Sequence, residues 1–502
     1  MTDQGMTDLV LSIDAGTTST RAIIFDGAGG IRGHAQKEFA QSYPAPGRVE
    51  HDAGEIWAKT RDVIKAALAM AGETPAAIGI TNQRETCLLW DADTGQPLGP
   101  AIVWQDRRTS DLCRRLKAEG LEPEIRARTG LLLDPYFSAT KITWMLEHTE
   151  GARSLAERGK LRAGTIDSWI IWQLTGGRAH LTDATNASRT MLYNIHEARW
   201  DSWLLDLFDI PVALLPEVRD CAGPFGVTDP GLFGAAMPIT GVAGDQHAAT
   251  VGQACFTPGM IKSTYGTGAF LVLNTGERAV MSEAGLLTTI AYRLNGRTTY
   301  ALEGSVFSAG SAVQWLRDAL GVIGSAPETE DHAADLDHSH GVYLVPAFTG
   351  LGAPHWDPEA RGLITGIGRD TGPRELARAA LESVAYQTRD LTRSMFEGLG
   401  DIAPPHADRV LRADGGMIAN RWLMQFLADM VDMPVDVPVV AETTAMGAGF
   451  LARLGTGMLD GLDDIAALWR VAHRYRPAMD GDTREALYAG WQQALNRTLW
   501  SA

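Results

Sequence analysis

Short apolar runs rich in β-branched residues punctuate this chain, each closed by a polar or glycine-bearing loop, with helical periodicity between them. Leu9–Ile13 and Ala22–Phe25 flank a small polar loop, Asp14–Thr20, which predicts a hairpin. Residues 260–273 repeat the pattern around a second loop, Ser263–Gly268. His51–Ala71 predicts a helix, with Asp52 as its cap, Glu55 as capping-box partner, and Ile56, Val63, Ile64 and Leu68 as one apolar stripe. Ala77–Thr81, Ala101–Trp104, Pro238–Ala243 and Val410–Ala413 predict short buried strands. Polar residues stand at their carboxyl ends: Asn82–Thr86, Gln105–Arg108, Gly244–His247 and Asp414–Gly416. A helix is expected from Asn420, with Leu423, Phe426, Leu427 and Met430 inward. This is the pattern of parallel α/β sheets, whose ligands bind at the carboxyl ends of strands. Gly223–Pro238 reads as a long surface excursion, and the stretch from about Gly455 as amphipathic helix. A lobe boundary is expected near Phe256–Gly259, just before the second hairpin.

Composition narrows the class. A chain of 502 residues exceeds a single core and predicts two or three domains. Hydrophobic content of 45% with 21% charged residues is that of an ordinary globular protein. No apolar run approaches the ~20 residues that span a membrane. The opening MTDQGMTDLV has neither a basic region nor an apolar signal core, so export is not expected. Cys87, Cys113, Cys221 and Cys255 are scattered, which predicts isolated thiols in a reducing compartment. The net charge of −17 argues against nucleic acid and anionic membranes as partners. It leaves a local phosphate clamp open.

The two hairpin tips are candidates for that clamp. Gly, Thr and Ser at a tight tip expose backbone N–H groups and hydroxyls, which bind phosphate oxygens. One such tip is also an ordinary turn; two, each followed by an apolar strand, suggest duplicated lobes closing on a nucleotide. Asp14, at the end of its strand, could meet a metal ion beside those phosphates. Asp245 follows a strand and a glycine; the spacing suits a general base and a helix N-cap equally. Arg84 and Glu85 offer a donor and an acceptor side by side, and equally form the makings of a surface salt bridge. Gly415-Gly416 alone is an ordinary strand-to-helix turn. No Gly-x-x-x-x-Gly-Lys-Ser/Thr and no Rossmann Gly-x-Gly-x-x-Gly is present. The acidic, His-bearing stretch Glu328–His340 predicts a solvated loop.

The segments GITNQRET (79–86), AIVWQDRR (101–108), DPYFSATKITWMLEH (134–148), TDATNASRTMLYNI (182–195), GVAGDQHAA (241–249), STYGTGAF (263–270) and ADGGMIANRWLMQF (413–426) resemble the FGGY carbohydrate kinases. Further matching segments at 344–358 and 381–390 extend the resemblance from Asp14 to about Leu454. It implies an α/β fold of two RNase H-like lobes, as in actin- and hexokinase-like ATPases, with the active site in the interlobe cleft. The lobes would span 8–255 and 260–454, followed by a helical extension over 455–502. The implied reaction moves the ATP γ-phosphoryl group to a terminal hydroxyl of a small polyol, glycerol foremost, with Mg²⁺.

By resemblance Asp245 is the catalytic base, and Arg84, Glu85, Trp104, Tyr136, Gln246 and Phe270 join it around the polyol. Thr17, Thr18, Ser19, Arg21 and Thr267 face the phosphates; Gly310, Gln314, Gly416 and Asn420 face the adenosine. Asp14 and Asp245 are the expected Mg²⁺ ligands. A cytoplasmic homo-oligomer, dimer or tetramer, is also implied. Ala15 and His247 stand where members of the family often have Gln. Some members bind fructose 1,6-bisphosphate through an Arg-bearing loop. The corresponding stretch here, Pro230–Met237, has no Arg, and weak inhibition is expected. The rival readings are a kinase for another polyol or ketose and an actin-type nucleotide switch.

Overall fold

The computed structural model describes residues 7–337, 340–357 and 359–499. Two sheets organise the chain. The first has five strands in the order Ile239–Gly244, Ala77–Asn82, Val10–Ala15, Ser19–Phe25 and Ile31–Glu38. The first three run parallel, and the hairpin and its outer neighbour are antiparallel. The second sheet has seven strands: Leu287–Leu294, Arg297–Val306, Ala269–Gly276, Ile261–Tyr265, Leu411–Asp414, Val435–Pro438 and Val471–Tyr475. Its middle five repeat the first sheet: two antiparallel strands, the leading hairpin strand, then two parallel strands. The duplication read from two hairpins therefore extends to both sheets.

The central strands of each sheet are buried on both faces because they are apolar at odd and even positions alike, while the outer strands Ile31–Glu38 and Val471–Tyr475 are largely exposed. Leu11, Ile13 and Ile24 enter one core with Ile56, Val63 and Ile64 of the Ala53–Ala71 helix. Ile23 and Phe25 point the other way and pack with Met446 and Phe450 of the Thr443–Thr456 helix. The longest helix, Pro373–Leu399, contributes Leu381, Val384 and Leu391 to the core of the second sheet. Proline at its first position and the Glu375 carboxylate, which accepts from Gly372 N at 2.8 Å, fix where it starts. A smaller core, beneath a four-stranded sheet that includes Cys87–Asp91 and Leu161–Thr165, fills the insertion between the first sheet's parallel strands.

Two helices join the halves. Asp245–Gly252 follows the last strand of the first sheet, and Thr443–Thr456 follows a parallel strand of the second. They cross where each has a glycine. A Cβ on Gly252 would lie 1.9 Å from the Thr443 carbonyl oxygen, and one on Gly447 1.8 Å from that of Ala248. Only glycine permits that approach.

Several expectations need correction. The helix begins at Ala53, since His51 belongs to a short strand; Asp52 accepts from Gly54 N and Glu55 N, and Glu55 turns toward Lys59 (4.0 Å) instead of closing a capping box. The Ala101 strand ends at Ile102, because Trp104 N donates to the Thr86 hydroxyl (3.2 Å) and leaves the ladder. Gly223–Pro238 is no surface excursion: Phe225 and Met237 enter the first core, and Val227 bridges Pro238. Glu328–Ala334 is a helix, not a loop, with Thr329 and Ala333 buried; of the same stretch, residues 338 and 339 lie outside the described residues. The chain beyond Gly455 is not helix alone. Val471–Tyr475 forms an edge strand, pinned by two Arg474–Asp436 bonds of 2.6 Å, between the helices Leu462–Leu468 and Gly481–Leu499. The opening six residues and the last three also lie outside the described residues. No helix among the described residues is long and apolar enough to cross a membrane.

Candidate active site

The polar cluster sits at the junction of the two sheets, at the carboxyl ends of parallel strands. The Ala77–Asn82 strand has ended before Arg84, and Glu85 takes φ 61°, so consecutive side chains reach one site. Asp245 opens the helix after Gly244. Arg84 Nε stands in an ion pair with Asp245 Oδ1 (3.0 Å), and Gln246 N donates to the same oxygen (2.7 Å).

Arg84 is not a surface ion pair. Its Nη1 and Nη2 donate to the two oxygens of Glu303, at 2.6 and 3.1 Å, a fork-on-fork contact that crosses from the first lobe to the second sheet. Arg189 completes the group: Nε donates to Glu85 Oε1 (2.6 Å) and Nη2 to Glu303 Oε1 (3.2 Å). All four side chains are buried. Burial would raise the Glu303 carboxyl, but Arg189 and Arg84 outweigh it and bring it down to about 2. Burial pushes Glu85 above its ordinary value, against the opposing pull of Arg189 and Arg84. The Tyr136 hydroxyl is likewise raised, by burial and then by the Glu85 carboxylate.

Aromatic walls stand beside these groups. Trp104 lies edge-on to Tyr136 (5.6 Å between centroids) and to Phe270 (6.4 Å). Trp104 also links the two hairpins. Its Nε1 donates to Thr17 Oγ1 at the first tip (3.0 Å), while Phe270 begins the strand beyond the second tip. Thr18 and Thr267 are exposed at the two tips. Gly16 N bonds Ser19 O (3.0 Å) at the first tip, and Gly266 N bonds Gly268 O (2.8 Å) across a tighter span at the second.

Gly310 is drawn to the second tip: its N–H donates to Gly266 O (2.9 Å), and a Cβ there would approach that oxygen to 2.6 Å. Met417, beside Gly416, lies against the same spot. Gly416 and Gln314 are exposed nearby along these elements. Asn420 is engaged already: its oxygen caps the next helix at Leu423 N (2.8 Å) and its amide donates to Thr329 (3.3 Å). Gln246 likewise turns its oxygen to the buried Lys262 ammonium. Ser19 Oγ accepts from Gln36 (3.0 Å), on the far side of the first tip.

Asp14 is buried and bonded by Arg21 Nη2 (2.5 Å); Arg21 Nη1 reaches Glu442 (2.6 Å). Burial raises the Asp14 carboxyl, Arg21 lowers it, and the nearby Asp245 carboxylate raises it again. These two neighbouring carboxylates beside the hairpin tips are hard-oxygen groups of the kind that could hold a magnesium ion. Burial holds His247 well below its ordinary value, with Arg84 pushing the same way, so it is a neutral ring beside the cluster.

Sequence reasoning missed Glu303, Arg189 and Lys262. A signal was present in one case: Glu303 follows the apolar pair Ala301–Leu302 inside the strand Arg297–Val306. A charge inside a buried strand must have a partner. Lys262 and Arg189 had no such signal, since Lys262 stands beside Ser263 and Thr264 and Arg189 between Ser188 and Thr190.

Comparison with known proteins establishes the family. The chain matches the N-terminal domain of the FGGY family of carbohydrate kinases over residues 9–252 and its C-terminal domain over 261–455. It is 60% identical to a glycerol kinase of Allorhizobium ampelinum over 497 residues, 98% of this chain and 99% of that one. A glycerol kinase of Chelativorans is 58% identical over the same length. The crystal structure of Plasmodium falciparum glycerol kinase with ADP superposes with a TM-score of 0.92 at 36% identity, covering 98% of this chain and 99% of the other. The chain belongs to the FGGY family of carbohydrate kinases.

Proposed function

We propose that this protein is an ATP-dependent glycerol kinase, forming sn-glycerol 3-phosphate and ADP. The observation that carries the reading is the convergence of Arg84, Glu85, Asp245, Tyr136, Trp104 and Phe270 beside the two Gly/Thr tips. Glycerol has only hydroxyls and a three-carbon backbone. A site that discriminates it must donate to and accept from those hydroxyls while covering the carbons. Arg84 retains N–H groups beyond its carboxylate bonds, and Glu85 Oε2 accepts nothing among the described residues. Trp104 and Phe270 flank the carbons.

In this mechanism Asp245 takes the proton of the attacking hydroxyl as that oxygen meets the γ-phosphorus in line. Arg84 Nε and Gln246 N fix its Oδ1 and leave Oδ2 for the hydroxyl. Thr17, Thr18 and Ser19 offer the first tip to the phosphates, Arg21 adds a cation, and Thr267 approaches from the second tip. Gly310, Gln314, Gly416 and Asn420 frame the adenosine. For Asn420 and Gln246 the polyol or base would share a side chain that already has an internal partner. Asp14 and Asp245 would hold Mg²⁺, which neutralises phosphate charge. Positioning and charge then supply most of the rate. The lobe over 8–255 carries the polyol side and that over 260–454 the adenosine side. Four buried, unpaired cysteines suit a cytoplasmic enzyme.

The test is ADP release with and without glycerol, followed by a panel of polyols and ketoses. Glycerol-stimulated release with glycerol preferred is expected. A preference for xylulose or erythritol overturns the substrate, and turnover indifferent to glycerol favours a nucleotide switch.

A further inference from the structure

We propose that Glu303, with Arg189 as its relay, is a positioning residue that keeps the two-nitrogen fork of Arg84 off the catalytic base and off the polyol's acceptor. The inference rests on the function proposed above.

Arg84 stands among three carboxylates: Glu303, Asp245 and Glu85. A guanidinium forks most strongly onto one carboxylate. If the fork closed on Asp245, both oxygens of the base would be engaged and the hydroxyl proton would have no acceptor. If it closed on Glu85, the polyol would lose the acceptor beside its donor. Glu303 prevents both. It takes Nη1 and Nη2 together, at 2.6 and 3.1 Å, and leaves Asp245 only the Nε contact at 3.0 Å. Arg189 performs the matching task on the other side. It holds Glu85 Oε1 at 2.6 Å and is itself anchored to Glu303 Oε1 at 3.2 Å, so Oε2 stays available.

The arrangement also makes the polyol site depend on both lobes. Glu303 lies on the Arg297–Val306 strand of the second sheet, whereas Arg84, Glu85, Arg189 and Asp245 come from the other lobe. Donor and acceptor are aligned only while the second lobe's carboxylate is in place. Closure on the nucleotide and readiness for the polyol are thereby tied through one side chain. Arg189 lies against the neighbouring rings of Tyr136 (5.7 Å) and Phe137 (5.4 Å), whose faces attract its guanidinium.

The experiment compares Glu303→Gln and Glu303→Asp with the unaltered protein in steady-state ADP release, using glycerol and 1,2-propanediol, which lacks one terminal hydroxyl. Glu303→Gln is expected to raise the glycerol KM at least tenfold and lower kcat at least tenfold, with the ATP KM changed less than threefold. The preference for glycerol over 1,2-propanediol shrinks in step. Glu303→Asp keeps the charge but withdraws the carboxylate by one methylene, and its glycerol KM falls between the two. A role in stability alone would lower the melting temperature and leave the KM split and the preference unmoved; that result overturns the inference. Should neither variant fold, the unaltered protein crystallised with glycerol decides. Glu303 is expected to keep its fork on Arg84 without touching glycerol, and transfer of that fork to Asp245 or Glu85 overturns the inference. Unaltered protein that releases no ADP with glycerol removes instead the underlying function.

Discussion

Replacing Asp245 with asparagine isolates the one proton transfer the mechanism needs. The exchange is nearly isosteric, and the environment dictates how the new amide sits. Gln246 N donates to Oδ1 (2.7 Å) and the Arg84 cation lies 3.0 Å from it through Nε, so the amide oxygen takes that place. The NH2 group is then forced to the position from which Oδ2 would accept the hydroxyl proton. A donor stands where an acceptor is required. Loss of a positioned base typically lowers the rate about 10²–10⁴-fold, or ~3–5 kcal/mol of barrier. Stability should change by only about 1 kcal/mol, because the Gln246 N bond to Oδ1 survives and the group is partly exposed. Nucleotide affinity should stay within about twofold, since the hairpin tips are untouched. The assay is coupled ADP release at saturating glycerol and ATP, with a thermal melt alongside. A variant that folds normally and keeps kcat within tenfold of the unaltered enzyme removes Asp245 as the base.

Three further outcomes follow from particular residues. Gly447→Ala drives a Cβ to within 1.8 Å of the Ala248 carbonyl oxygen, and backbone cannot give way as a side chain would. We expect a loss of several kcal/mol, seen in denaturant unfolding, and an ordinary helix substitution near zero would contradict the crossing. Burial holds His51 down to about 4, against the 6.5 of an exposed ring, so the unfolded chain takes a proton before the native one does. Stability should therefore fall by about 1.4 kcal/mol per unit as pH drops from 6.5 toward 4, and His51→Gln should flatten that part of the slope; parallel slopes would contradict it. Fructose 1,6-bisphosphate should inhibit weakly or not at all, since Pro230–Met237 carries no arginine; strong inhibition at submillimolar concentration would show another route.

Much of the fold was legible because strands and their loops are local. The apolar runs around Asp14 and Ser263 announced both hairpins, and alternate residues such as Ile23 and Ile24 pack on opposite faces as their common hydrophobicity implies. What the pattern could not give is where distant elements add to a sheet. Val471–Tyr475 is mostly exposed and polar, so only its pairing with Val435–Pro438 and the Arg474–Asp436 bond make it a strand. Site residues followed the same division. Arg84, Glu85 and Asp245 stand at strand ends and could be read, although Arg84 and Glu85 looked equally like a surface pair. Their actual partners, Glu303 and Arg189, lie 219 residues from Arg84 and 104 from Glu85 respectively. The first pairing is set by how the lobes meet, the second by how the segment inserted between strands of the first sheet packs back on it. Asn420 shows the converse: its local signal, a helix cap, is the bond it makes, with a nucleotide role added by resemblance.

The most direct measurement is a crystal structure of the protein with glycerol and a non-hydrolysable ATP analogue. The account predicts the triphosphate held between the tips at Thr18 and Thr267, with a terminal glycerol oxygen within hydrogen-bonding distance of the Asp245 carboxylate. A triphosphate bound elsewhere, or a glycerol whose terminal oxygens all lie out of that carboxylate's reach, would contradict it.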